Sequence, residues 1–113
     1  MTGQSIAIAA LVGLLAGAPA PLAAATADDF CAAAGGFAEA VMEGRQKGVT
    51  MSALMALYKD IPAEKGGDML RAVVVAAFTE TRYESRDLQL RATQDFRAAI
   101  ELGCYQTVGA GAK

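Results

Sequence analysis

From residue 28 onward, apolar residues recur at the three- and four-residue spacing of α-helices, and loop-forming residues divide them into four segments. The first segment begins at Asp28 or Asp29, either of which can serve as its N-cap, and Gly48 ends it. The second begins at Thr50 or Ser52 and stops at the proline of the sequence DIP. The apolar positions of these two segments are Phe30, Ala34, Phe37, Ala38, Val41, Met42, Leu54, Met55 and Tyr58.

A loop of sequence EKGGD precedes the third segment, in which Asp68 can serve as N-cap. Ser85 is a suitable N-cap for the fourth segment. The apolar positions of these two segments are Leu70, Val73, Val74, Ala77, Phe78, Leu88, Ala92, Phe96, Ala99, Ile100 and Gly103. The pattern predicts an all-α fold, a small bundle of about four helices in one domain that spans residues 28–113.

Residues 1–27 form a separate apolar leader that contains no Lys, Arg, Asp or Glu. Its core from Ile6 to Ala18 has the length typical of a signal peptide, and prolines and small residues follow it. Two small-residue motifs allow cleavage after Ala25 or after Ala27, and Ala27 is favoured because Asp28 would then begin the mature chain. We predict a cleaved signal peptide over 1–27 and a periplasmic or secreted location. An uncleaved membrane anchor is the alternative, against which the prolines and the Ala-rich composition argue.

Cys31 and Cys104 are the only cysteines of the chain. An exported chain meets an oxidising compartment, where an even number of cysteines indicates pairing. Cys31 lies in the first turn of the first predicted helix and Cys104 in the last turn of the last, so antiparallel packing of these helices would bring them together. We predict a disulfide that ties the two ends of the domain and stabilises it by roughly 4 kcal/mol.

The sequence offers little for catalysis, metal binding or cofactor binding. It contains no His, the commonest general base and metal ligand, and a disulfide would consume both thiols. The EKGGD loop lacks the alternating oxygen ligands of a calcium site, and AGGF at 34–37 lacks the Lys-Ser/Thr pair of a phosphate loop. A net charge of −2 with scattered basic residues gives no nucleic-acid footprint. We predict a protein that is not an enzyme, holds no metal or cofactor, binds no nucleic acid, and contacts a membrane only through an uncleaved leader.

Two polar pairs are the candidates for contact with another protein. Arg45 and Gln46 end the first predicted helix, and Arg82 and Tyr83 lie in the turn between the last two. Tyr and Arg are enriched at the energetic centres of interfaces, which favours a partner-binding role. A structural alternative exists for each pair: Arg45 would offset the negative end of its helix, and Tyr83 would cover the end of the core.

Several short motifs together resemble a family of small exported proteins, mostly of unknown function, from Gram-negative bacteria and their prophages. The motifs are Cys31, AEAVM (38–42), RQ (45–46), GVTMS (48–52), AF (77–78), RY (82–83), DFR (95–97) and Cys104. The resemblance implies a secreted helical domain with two cysteines, and it carries over no catalytic residue. A looser likeness is to periplasmic acid-stress chaperones, which are also small, helical and disulfide-tied, although the lysine-rich ends expected of those are absent here.

Two functional hypotheses follow. The first is a non-enzymatic interaction module or inhibitor in the periplasm, which binds a protein partner through Arg45, Gln46, Arg82 and Tyr83. The alternative is an acid-stress periplasmic chaperone. Because the chain has no His, its switch would have to come from carboxylates that titrate near about pH 4.

Overall fold

The structure is a computed structural model that describes residues 26–111, and it confirms an all-α bundle of four helices tied by one disulfide. The helices are α1 (Ala27–Gln46), α2 (Met51–Leu57), α3 (Gly67–Phe78) and α4 (Arg86–Gly111), with a 3-10 turn at Ala63–Lys65. The predicted signal peptide lies outside the described residues apart from its last two, and its cleavage stays a prediction. Within residues 26–111, no helix combines the length and the apolar character needed to cross a membrane.

Helix α1 begins with a reciprocal pair of hydrogen bonds. Thr26 is its N-cap, so the prediction of Asp28 or Asp29 was wrong. The Thr26 hydroxyl accepts a hydrogen bond from the Asp29 backbone N–H at 3.1 Å, and the Asp29 carboxylate accepts one from the Thr26 backbone N–H at 3.1 Å. This arrangement is a capping box, whose three-residue spacing crosses the boundary between the leader and the domain. The two aspartates lie instead in the first turn, where negative charge is favourable.

The capping box makes the stability of the domain depend on where the mature chain begins. A chain that starts at Thr26 keeps both hydrogen bonds, whereas a chain that starts at Asp28 loses them. We expect the free energy of unfolding to be about 1 kcal/mol greater for the chain from Thr26, as measured by urea denaturation of the two purified chains. Thr26→Ala in the longer chain is the matched variant and should lose a similar amount. Equal stability of all three chains would contradict the role of the cap.

The starts of α2 and α4 confirm predicted caps, whereas the start of α3 does not. Thr50 accepts a hydrogen bond from a backbone N–H of α2 at 3.1 Å, and Ser85 accepts one from α4 at 3.2 Å. The N-cap of α3 is Gly66, whose φ of 92° is readily adopted only by glycine. Asp68 is therefore not the cap; it lies in the first turn and forms an ion pair with Arg71 at 3.0 Å.

Helices α1 and α4 pack antiparallel along much of their length, with the disulfide near one end and Gln46 at the other. Helix α3 packs against α1 and runs in the same direction, and α2 packs against α3. One cluster of buried side chains joins the four helices. Its members are Ala38, Val41, Met42, Leu54, Val73, Val74, Ala77 and Phe96. Burial of this apolar surface is the main stabilising contribution to the fold.

Four residues of the predicted apolar stripes are exposed outside this core: the small residues Ala99 and Gly103 and the two large residues Phe30 and Leu88. Phe30 is 51% exposed and Leu88 is 43% exposed, so their expected place in the core was wrong. Each lies in the first turn of its helix, near one end of the bundle, where fewer neighbouring helices cover a side chain. The exposure of Phe30 is important because the residue lines an apolar groove between α3 and α4.

A charged cluster also joins α1 to α4. Arg97 of α4 donates hydrogen bonds to Glu39 of α1 and, at 3.1 Å, to Glu101 of its own helix. These bonds, to Glu39 first and Glu101 second, raise the pKa of Arg97 above its ordinary value. Glu101 lies directly against the buried Gly35, where any side chain would overlap it. Because Gly35 has no side chain, Arg97, Glu39 and Glu101 have room to form this charged cluster between the two helices.

Candidate functional site

The predicted disulfide is present between α1 and α4. The Cα atoms of Cys31 and Cys104 are 5.6 Å apart, and the Cys31 side chain is fully buried. The expectation that Cys104 lies in the last turn of the last helix was wrong, because α4 continues to Gly111. The added length carries Thr107 and Val108 past the disulfide. Disulfides of this kind are typical of proteins in oxidising compartments.

Tyr105 follows the disulfide and interacts with the first turn of α1. Partial burial of the ring raises the pKa of Tyr105 above the ordinary 10.0, and the negative charge of the Asp28 carboxylate raises it further. A phenol pKa that is higher in the folded than in the unfolded state favours the folded state while the phenol is neutral. This contribution to stability is therefore present below about pH 10 and is lost as the pH rises through the folded-state pKa.

We expect the phenol of Tyr105 to titrate above its ordinary pKa in the native protein, and Asp28→Asn to lower that pKa. The measurement is the ultraviolet absorbance of phenolate against pH, with Tyr105→Phe subtracted to isolate this one residue. The same titration in urea serves as the control, because unfolding removes both causes of the shift. A Tyr105 midpoint that is unchanged by Asp28→Asn would contradict the contribution of Asp28.

The structure brings the four predicted partner-binding residues together at the other end of the bundle. Gln46 is 2% exposed, and its side-chain amide lies between α1 and the loop that joins α3 to α4. The amide nitrogen donates to the Thr81 carbonyl oxygen at 2.8 Å, and the amide oxygen accepts from the Tyr83 backbone N–H at 2.8 Å. Gln46 therefore fixes the loop in place, and its amide is directed inward rather than towards a partner.

The other three residues of this corner also make internal contacts. Arg45 donates to the Glu80 carbonyl oxygen at 3.1 Å, and its guanidinium carbon lies 4.8 Å from the centre of the Phe78 ring. Arg82 donates to the Gln46 carbonyl oxygen at 3.2 Å but is otherwise exposed, and Tyr83 is half-buried. These contacts show a structural role for the corner. A partner-binding role stays a prediction, and Arg82 and Tyr83 have the exposed surface that it would require.

A second feature lies near the disulfide, where α3 and α4 diverge over the start of α1. The α3–α4 groove, as we name it, has a volume of about 520 Å³. Its walls and floor are formed by Phe30, Ala34, Met69, Ala72, Val73, Ala76, Ala99, Ile100, Gly103, Cys104, Thr107 and Val108. None of these residues is charged, and Thr107 alone carries a side-chain hydroxyl. The groove is therefore suited to an apolar ligand or an apolar segment of a protein.

Phe30 and Met69 also border a second cavity of about 550 Å³, which extends from the groove towards the 3-10 turn. This outer cavity is lined as well by Glu64 and Lys65, so its charge is mixed. Phe30 and Met69 are 51% and 38% exposed. Two large apolar side chains are therefore exposed to solvent where the two cavities meet. This arrangement is expected of a contact surface.

The groove was not predicted from the sequence. One signal was present: Ala72 and Ala76 on α3, and Ala99 and Gly103 on α4, are pairs of small residues four positions apart. Residues at this spacing share one face of a helix, so each helix has a face with little side-chain volume. Periodicity alone assigned Ala99 and Gly103 to the core, because it does not reveal whether a neighbouring helix covers that face.

Comparison of the chain with models of known protein families, with curated proteins and with solved structures gives no match. Within the part of the chain that the structure describes, no three acidic or cysteine side chains are grouped so that they could hold a metal ion. The function is therefore inferred from the two features above, the corner around Gln46 and the α3–α4 groove.

Proposed function

We propose that this protein is an exported, non-enzymatic binding domain that holds an apolar helical segment of a protein partner in the α3–α4 groove. The single observation that carries the proposal is the groove itself. Its volume of about 520 Å³ lies within the range of roughly 300–1,000 Å³ typical of binding sites. A groove between two helices is also a common receptor for a third helix, which inserts its apolar side chains.

The periplasm is the proposed place of action. The disulfide, an uncharged leader of signal-peptide form and the resemblance to small exported proteins all support export. Under this proposal the leader is removed after Ala25 rather than after Ala27, since the mature chain then keeps Thr26 and its capping box. The protein acts as an interaction module or an inhibitor, depending on what the bound segment does in its own protein.

The groove serves this function better than the corner around Gln46 does. At the corner, the Gln46 amide and the Arg45 guanidinium already bond to backbone carbonyls of the α3–α4 loop. In the groove, the apolar side chains of Phe30 and Met69 contact solvent, so covering them would release free energy. Arg82 and Tyr83 lie at the opposite end of the bundle and would extend the interface only for a large partner.

The proposed function is tested by filling the groove. A Cβ placed on Gly103 meets no other atom within 4 Å, so Gly103→Leu should fold normally and occupy the groove. Gly36→Leu is the matched control, because Gly36 also has open space around it but lies outside the groove. Both substitutions replace a helical glycine and should raise helix propensity alike, by about 1 kcal/mol.

The probe is Nile red, an uncharged dye that fluoresces in apolar surroundings, added to the oxidised chain that begins at Thr26. We expect the wild type and Gly36→Leu to bind the dye alike, and Gly103→Leu to weaken binding on the order of tenfold, which is 1.4 kcal/mol. Equal binding by Gly103→Leu, with its helix content unchanged by circular dichroism, would show that the groove is not the site.

The acid-stress chaperone is the second candidate, and the charged cluster between α1 and α4 supports it. Carboxylates as a class take up protons near about pH 4, so strong acid would weaken the ion pairs of Arg97, while the disulfide would still hold the two helices together. The chain could then loosen and expose its core to client proteins. The test is light scattering of an aggregating client protein at pH 3: suppression by the wild type would support the chaperone, and no suppression would remove it.

A further inference from the structure

We infer that the segment held in the α3–α4 groove carries a lysine or an arginine at one end of its apolar part. The inference rests on the proposed function, because it takes the groove to bind a helical segment and adds the charge that this segment carries. The part inside the groove stays uncharged. The basic side chain lies beyond the groove, in a smaller cavity next to Ala99 that two acidic residues line.

The smaller cavity, which we name the acidic cavity, continues the groove towards the loop between α3 and α4. It has a volume of about 150 Å³, and its lining includes Glu80, Tyr83, Asp95, Phe96 and Ala99. Ala99 also lines the groove, so the two cavities adjoin. Asp95, Ala99 and Gly103 are four residues apart on α4 and therefore share one face of this helix. A segment that follows this face passes Ala99 and meets Asp95 one turn later.

The two carboxylates of the acidic cavity have no counter-charge there. Glu80 and Asp95 are both exposed, and none of the residues that line the cavity is basic. Within residues 26–111, neither carboxylate forms an ion pair. Arg45 bonds to the backbone carbonyl of Glu80, and Arg91 borders Asp95 in a separate cavity without pairing with it. Both negative charges are therefore available to a cation on a bound segment.

The acidic cavity has the size and the lining that suit one long basic side chain. Its volume of about 150 Å³ is below the roughly 300–1,000 Å³ typical of sites for whole ligands. Tyr83 and Phe96 can pack against the carbon stem of a lysine or an arginine, while its charged end stays in water beside the carboxylates. A calcium ion fits less well, because it takes about six to eight oxygen ligands.

Occupation of the groove makes the charge at the end of the segment important. A bound segment displaces water from the edge of the acidic cavity, and charges interact more strongly where water is excluded. A basic end pairs with Glu80 and Asp95, whereas a neutral end leaves them partly desolvated without a partner. An acidic end is repelled. We therefore expect the domain to prefer basic ends over neutral ends, and neutral ends over acidic ends.

The opposite end of the groove lacks this preference. The outer cavity there is lined by Glu64 and Lys65, whose opposite charges offset each other. The face of α4 from Val108 to Asp95 is roughly 20 Å long at about 1.5 Å per residue, so a helix of about 13 residues covers the groove and reaches the acidic cavity. The difference in charge between the two ends determines which end of the segment lies at the α3–α4 loop.

The test uses helical peptides of about 14 residues with blocked ends, in which alanine and leucine form one face and glutamine the other. One peptide carries no charge, and two others have a lysine at the first or the last position, which covers both directions of binding. Calorimetric titration of the oxidised chain that begins at Thr26 measures their affinities. We expect the better lysine peptide to bind on the order of fivefold more tightly than the uncharged peptide at low salt. This difference should shrink in about 0.5 M sodium chloride.

Two double variants show whether the acidic cavity causes the preference. Glu80→Gln with Asp95→Asn keeps the side-chain shapes and removes both charges, so the lysine and uncharged peptides should bind this variant equally. Glu84→Gln with Asp87→Asn is the matched control. It removes the same two kinds of charge from exposed positions outside the groove and the acidic cavity, and the preference for lysine should remain.

The outcomes separate this inference from the proposed function. Equal binding of all three peptides by the wild type, with weaker binding by Gly103→Leu, would overturn the inference and leave the proposed function intact. A preference for lysine that persists in Glu80→Gln with Asp95→Asn would also overturn the inference, because another site would then hold the basic residue. Failure of every peptide to bind the wild type would overturn both.

Discussion

Replacing Cys31 and Cys104 together by alanine is expected to lower the free energy of unfolding by about 4 kcal/mol. The disulfide joins residues that are 73 apart in the sequence, so its loss returns much conformational entropy to the unfolded chain. A domain of this size has a total stability of about 5–15 kcal/mol, and the variant would therefore be partly unfolded at moderate temperature. Urea denaturation of the oxidised wild type and the double variant measures the difference.

Reduction supplies the control for this prediction. Dithiothreitol should destabilise the wild type by about the same amount as the double substitution, and it should leave the double variant unchanged. A loss of less than about 1 kcal/mol in the double variant would mean that the bond does not constrain the unfolded chain as the loop-closure argument requires. The comparison also separates the effect of the bond from that of the small volume lost at the buried Cys31.

Gln46→Leu is expected to lower the free energy of unfolding by about 3 kcal/mol, the second-largest effect among these predictions. The substitution removes both amide bonds and leaves the Thr81 carbonyl and the Tyr83 backbone N–H without their partner in a partly buried site. Each such group costs about 1–3 kcal/mol. Thermal or urea unfolding gives the magnitude, and hydrogen exchange should accelerate in residues 79–85, because Gln46 holds that loop.

Two variants make the Gln46 result specific. Gln89→Leu removes a single bond, to the Tyr83 carbonyl at 2.8 Å, from a half-buried position, and should cost about 1 kcal/mol. Gln46→Glu keeps the shape and the accepting oxygen but loses the donor to Thr81, so its loss should fall as acid neutralises the new carboxylate. If Gln46→Leu were no more harmful than Gln89→Leu, the paired amide bonds would not be what holds the loop.

The helices could be predicted from the sequence because their signals are local. Apolar spacing identified all four. Ser85, and Thr50 as one of two candidates with Ser52, were predicted as caps because such residues precede an apolar period. Thr26 was not predicted as a cap because charged residues first appear at Asp28. The start of the first helix was therefore placed two residues too late. The cap at Gly66 was not predicted, because a cap with a positive φ depends on the path of the preceding loop, which periodicity does not describe.

The candidate site could be predicted only in part, for a different reason. The pairing of Cys31 with Cys104 followed from antiparallel packing of the first and last helices, and the structure confirms it. The groove depends on how far α3 and α4 diverge, which is set by side-chain packing between helices distant in sequence. Phe30 is an example: the sequence pattern predicts that its side chain lies in the core, whereas it lies half-exposed at the groove.

The two ends of α3 are held differently. Its C-terminal end is followed by the loop that Arg45 and Gln46 bind, whereas its N-terminal end is bonded only to the segment before it, through Arg71 and the Tyr58 carbonyl oxygen at 3.0 Å, and among the described residues has no hydrogen bond to α1 or α4. A small rotation of α3 about its fixed end would therefore move Met69 farther than Ala76, and would widen the groove mainly at its open end. We expect the groove to bind only uncharged segments but to accept segments whose side chains differ in size. One domain could then bind several partners.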